Sequence, residues 1–275
     1  MSNPLSEGLP TPFVEDPWRG AQKEAARALW DWRRALFRPH AGAAFESAGA
    51  TFEAEARKAE AGRMLALVPA DVARAAYRAC EAEGLPRERL ADQVRAARRF
   101  GTKVRFADAA ELRAFSDLWA GSHALLLAAM AGAKGGWQRP WIKEMAFGFF
   151  LTGRLAALHR DLARDWFFFP LADLERAGIA VEDFREGRTD EKTKRVLWKQ
   201  VVGARDAFAQ GRPLIEELEP RYARSLKRWW HGALEVLREI ERRDYDLSRP
   251  LGLSRRHRLQ AYLQAMVGRS IFKRG

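Results

Sequence analysis

The spacing of apolar residues most narrows the fold open to this chain. Alternating runs rich in Val, Ile and Thr are nearly absent, whereas apolar residues recur at intervals of three and four. A period near 3.6 buries one stripe of a helix, and a period of two would bury one face of a strand. Residues 24–37 place Ala28, Leu29, Trp32, Ala35 and Leu36 on one side and end at Pro39. Further helices are expected over 45–67, from Pro69 through Cys80, and over 87–100 and 108–131. Gly84-Leu85-Pro86 separates two of them. The longest candidate covers 141–166, followed by a short turn over 171–177 that Gly178 closes. Helices over 189–209, 222–242 and 255–272 complete the reading, with Gly211-Arg212-Pro213 as a break. The expectation is one all-α domain over 21–275. Residues 1–20, polar and interrupted by Pro, are expected to be a disordered segment.

Composition excludes several classes. Of 275 residues, 47% are apolar, enough to build a large core. Cys80 is the only cysteine, so the chain forms no internal disulfide and no four-cysteine zinc site. A reducing compartment follows. No stretch reads as an export signal or a membrane span, because the most apolar run, 145–158, is short and broken by Arg154. A cytoplasmic protein is expected, with peripheral contact to an anionic membrane as an option. The net charge of +12 favours anionic partners or a well-solvated surface. Nucleic acid is not expected, because no recognition motif accompanies the charge.

Chemistry concentrates at Arg160-Asp161-Leu162-Ala163-Arg164-Asp165. Asp161 and Asp165 are four apart, so on a continuous helix they share one face. Two such carboxylates can hold Mg²⁺, a hard cation that prefers oxygen ligands and bridges to substrate phosphates. The plain alternative is a solvated face paired with neighbouring Arg. Other sites are weaker. His40, His123, His159, His231 and His257 are scattered without metal-ligand spacing, and Lys134 lacks the rest of a phosphate loop. Ser122-His123 has no nucleophile elbow around it, and the run Arg255 to Arg258 is short.

The segment from Gly148 through Arg160-Asp161 and Asp165, then Phe169-Pro170-Leu171 and Gly178, resembles the second aspartate-rich region of the squalene/phytoene synthase family. The helix, Gly84-Leu85-Pro86 turn and helix within 71–99 resemble another part of that family. So do 111–132, 234–246 and 253–263, so that the resemblance covers roughly residues 70 to 265. It implies an all-α helical bundle of the isoprenoid synthase type enclosing a central cavity. It also implies a prenyltransferase that condenses prenyl diphosphates head to head in isoprenoid biosynthesis, usually with Mg²⁺. By the same resemblance Asp161 and Asp165 are the metal ligands, and Arg160 and Arg154 lie near the substrate. The partner is a prenyl diphosphate or another isoprenoid lipid. Phe147, Phe149, Phe150, Trp166, Phe167 and Phe168 are candidates to line a cation-stabilising pocket, with ordinary core as the alternative.

The chain also departs from the family pattern. No first aspartate-rich motif is found among Asp31, Glu46, Glu53, Glu55 and Glu60. Arg164 replaces a residue that is commonly acidic and is expected to compete with Mg²⁺ for Asp161. Arg154 and Ala157 stand where Gln and Asn are common, and Arg99-Phe100 falls where the family has an aspartate. The loop after Asp165 is shortened. These departures support a second reading, a catalytically degenerate member serving as a lipid-binding or protein-assembly module.

Overall fold

In the computed structural model, residues 17–37, 68–133, 135–249 and 251 are described. The expected helices over 45–67 and 255–272 lie outside these residues, as do 1–16 and the run from Arg255 to Arg258. The described chain is helical apart from one short pair of strands. Helix α1 (Ala21–Leu36) buries Ala25, Ala26, Leu29, Trp32 and Leu36, the stripe that the three-and-four spacing sets. Helices α2 (Ala70–Ala82) and α3 (Glu88–Ala97) flank the Gly84-Leu85-Pro86 turn. Cys80 in α2 is buried, and burial pushes its thiol up to about 12, which makes it a core residue rather than a nucleophile.

Helix α4 (Ala109–Ser116) starts where the Asp108 carboxylate accepts from the Glu111 amide at 2.8 Å. It continues through a π-helical turn, Asp117–Gly121, into α5 (Ser122–Met130). Helix α6 (Arg139–Ala163) is the central rod, about 37 Å long at 1.5 Å per residue. The short helices α7 (Leu171–Ala177) and α8 (Val181–Arg185) follow. Gly178 ends α7 with φ 63°, a left-handed position that glycine adopts freely.

Helix α9 (Glu191–Gly211) packs along α6, and then come α10 (Leu214–Glu217) and α11 (Pro220–Arg242). Gly211 belongs to α9 rather than breaking it. A Cβ there would lie 2.6 Å from the Met145 amide nitrogen, so glycine is what lets the two rods approach.

The long helix stops at Ala163, three residues short of the expected end. Trp166–Pro170 forms strand β2, parallel to β1 (Val104–Phe106), with Val104 opposite Trp166 and Phe106 opposite Pro170. Every residue of β2 is buried, so the run shows no alternation and reads like helix in the sequence. A single contiguous core joins these elements. No helix among the described residues is long and apolar enough to cross a membrane.

Candidate functional site

The end of α6 separates the two aspartates. Arg164 caps the helix, and Asp165 turns into the left-handed region at φ 58°, which Asp tolerates better than most residues. Asp161 and Asp165 therefore do not share a helix face, in contrast to the spacing expectation.

Asp161 points into the core, with its side chain 5% exposed. Arg154, two turns earlier on α6, donates from Nη1 to its two oxygens at 3.0 and 2.9 Å. The Arg154 side chain is 1% exposed, so the pair is fully desolvated. Phe37 and Phe168 sandwich the guanidinium, each ring centroid 5.0 Å from its carbon. Burial pushes the Asp161 carboxyl up to about 6, against the charges of Arg154, Arg160 and Arg164.

Asp165 is half exposed and belongs to a different cluster. Its carboxylate accepts from Arg105 of β1, and from Arg185 of α8 at 2.7 Å. Its carbonyl accepts from Arg105 at 2.6 Å and from the Val104 amide at 3.1 Å. Burial acts upward, but the hydrogen bonds and charges of Arg105 and Arg185 hold the carboxyl below its ordinary value.

The Arg164 amide donates to the Asp161 carbonyl at 3.0 Å, but the Arg164 guanidinium forms no ion pair with the Asp161 carboxylate. Its guanidinium lies over Trp166, 5.6 Å from the ring centroid, because the chain has left the helix there. The cation in contact with Asp161 is Arg154, which the resemblance had placed near the substrate. Arg160 is half-buried, and its Nε has no hydrogen-bond partner. His159 is half-buried beside it, lowered by burial and by the Arg160 charge.

Among the described residues, aromatic rings rather than acids surround this pair. Phe100 packs 5.0 Å from Phe37, 4.8 Å from Trp119 and 5.2 Å from Trp166, centroid to centroid. Phe168 and Phe150 extend the cluster at 5.8 Å. Of the six aromatics named from sequence, Phe150, Trp166, Phe167 and Phe168 are core, and Phe147 lies under the Arg113 guanidinium. Phe149 lines a cavity, described below.

Among the described residues no Mg²⁺ site is assembled. Both aspartates are engaged by arginine, and among the described residues no three His, Cys, Asp or Glu side chains gather as metal ligands. Glu46, Glu53, Glu55 and Glu60 lie outside the described residues.

The squalene/phytoene synthase family model matches residues 18–262. The chain belongs to the squalene/phytoene synthase family. Members of this family process prenyl diphosphates. In structure the chain is similar to squalene synthase HpnC from Alicyclobacillus acidocaldarius, with a TM-score of 0.72 and 23% identity over 90% of this chain and 93% of that one. It is similar to a dehydrosqualene synthase solved in complex with a ligand, with a TM-score of 0.70 and 14% identity over 94% and 89%. YisP from Bacillus subtilis gives a TM-score of 0.62 and 14% identity over 90% and 99%. No curated protein matches the chain in sequence. The family's all-α isoprenoid synthase fold is thus present, and the Arg154–Asp161 ion pair lies within the matched span.

Proposed function

We propose that this family member keeps the helical scaffold as a binding module for an apolar ligand and does not ionise a diphosphate. The observation that carries the reading is the Arg154 guanidinium on both oxygens of Asp161. Ionising an allylic diphosphate requires positive charge gathered on the leaving group. In this family that charge comes usually from Mg²⁺ on paired aspartates. Here the fixed cation is turned onto the protein's own carboxylate and sealed between two rings. The aromatic cluster fills the space beside it, which supports a packed wall rather than a reaction chamber at this point. The net charge of +12 supports work beside anionic partners, a membrane surface among them.

Incubation with farnesyl or geranylgeranyl diphosphate and Mg²⁺ tests the reading. No diphosphate release is expected, and a condensed hydrocarbon product would overturn it.

The second reading is a head-to-head prenyltransferase with Asp161 and Asp165 on Mg²⁺ and Arg160 and Arg154 toward the diphosphate. The family match over 18–262 favours it. It requires Arg154 to leave Asp161 and Asp165 to leave Arg105 and Arg185. The same incubation decides between the two.

A further inference from the structure

A cavity of about 80 Å³ lies between α1, α5, α6 and α11, and Arg33 in its wall stacks over Trp119 of the aromatic cluster at 4.8 Å. Leu127, Met145, Phe149 and Leu226 give it apolar walls. Two polar residues that line it have buried nitrogens without a hydrogen-bond partner. Arg33 is 2% exposed and its Nε and Nη2 make no hydrogen bond; His123 is 5% exposed and its Nδ1 makes none. The hydroxyl of Tyr222, also in the wall, is already engaged with Gln22 at 2.8 Å. We propose that this cavity binds a short-chain monocarboxylate, its carboxylate held by Arg33 and His123 and its alkyl tail against the apolar wall. The proposal rests on the binding-module reading and names the ligand class.

Burying a guanidinium without a counter-ion is unfavourable, and an anion removes that penalty. Among the described residues no carboxylate pairs with Arg33, and Asp161 is held by Arg154. Arg154 instead adds a second buried positive charge in the vicinity. Burial, then the Arg154 charge, holds Arg33 well below its ordinary value.

The free donors select the anion. Nε and Nη2 lie on one edge of the guanidinium plane with nearly parallel N–H bonds, the edge that meets a carboxylate side on with two hydrogen bonds. Burial, then the Arg33 charge, keeps His123 neutral, so it adds a hydrogen bond and no second cation. One cation matches a monoanion, and a diphosphate would bring surplus negative charge into an apolar space. A single water needs about 10–15 Å³ on this measure, so the cavity accepts on the order of six to eight non-hydrogen atoms. Hexanoate has this size.

Calorimetric titration of the full chain with hexanoate and with 1-hexanol, both without Mg²⁺, is the test. Hexanoate is expected to bind about tenfold or more tighter than the alcohol, the margin of a charge-assisted pair. Arg33→Met is expected to stay folded, since it removes an uncompensated charge, and to lose that preference. Absence of hexanoate binding, equal affinity for the alcohol, or an unchanged preference in Arg33→Met each overturns the proposal. If Arg33→Met does not fold, the ratio in the wild type decides alone. Hydrocarbon formation from prenyl diphosphates would instead overturn the binding-module reading, so the two failures are told apart.

Discussion

Arg154 and Asp161 face each other across two turns of one helix, 3.0 and 2.9 Å apart, with almost no contact with water. Breaking such a pair leaves one buried charge alone, whereas replacing both partners with apolar groups does not. Arg154→Met is therefore expected to lose about 3–5 kcal/mol of stability. The double variant Arg154→Met with Asp161→Leu is expected to be as stable as the wild type or more so. Urea unfolding of the three proteins measures both, and equal destabilisation of the single and double variants would contradict the pairing.

The position of Arg164 sets an expectation for metal binding. Because it lies over Trp166 rather than against Asp161, an acidic residue there does not complete a metal site. Neither the wild type nor Arg164→Glu is expected to bind Mg²⁺ at millimolar concentration by calorimetry. A tight isotherm in the variant would place residue 164 beside Asp161 after all.

Acidification tests the buried histidine. His123 is held well below 6.5 by burial and by the Arg33 charge, so in the folded chain it stays neutral where the unfolded chain takes up a proton. Its contribution to stability is present above about 6.5 and is lost as pH falls toward the depressed folded value. The limiting slope is about 1.4 kcal/mol per pH unit. Asp161 acts oppositely, because its folded value is raised from 3.8 to about 6 and its contribution grows as pH falls through that interval. His123→Gln retains Asp161, so its stability is expected to fall less between pH 7 and pH 5 than that of the wild type. Parallel urea midpoints for the two proteins would exclude this role.

The α6–α9 contact is the tightest test of packing. Gly211→Ala would place a methyl 2.6 Å from the Met145 amide nitrogen and 2.9 Å from its Cα, atoms that cannot swing aside. A loss of about 1–3 kcal/mol is expected, typical of overpacking. Thermal unfolding measures it, and an unchanged midpoint would mean the helices separate without penalty.

The helical architecture was legible because its period is local. The stripe on α1, the start of α4 at Asp108 and the stop at Gly178 depend on neighbours within a few residues. The strand pair was not legible, because Trp-Phe-Phe-Phe-Pro is buried on both faces and its partner lies far back in the chain. Missing β2 carried over to the site, since a helix through Trp166 is what put Asp165 on the face of Asp161. The Arg154–Asp161 pair left a readable trace. The two are seven apart, close to two full helical turns, a spacing that puts them on one helix face. Arg33 gave no such signal. Its importance comes from being enclosed by α5, α6 and α11, which no local spacing reveals.

The short parallel pairing also bears on the order in which the molecule forms. Arg105 and Asp165 meet across sixty positions of sequence, and the intervening chain contains α4, α5 and the whole of α6. Closing so long a loop is slow relative to winding a helix, and its entropy must be offset before any contact rewards it. The conformation of Asp165 is thus tied to β1 as well as to the helix that precedes it. The geometry around Asp165 is therefore expected to form only once that long loop has closed, onto a strand laid down far earlier in the chain.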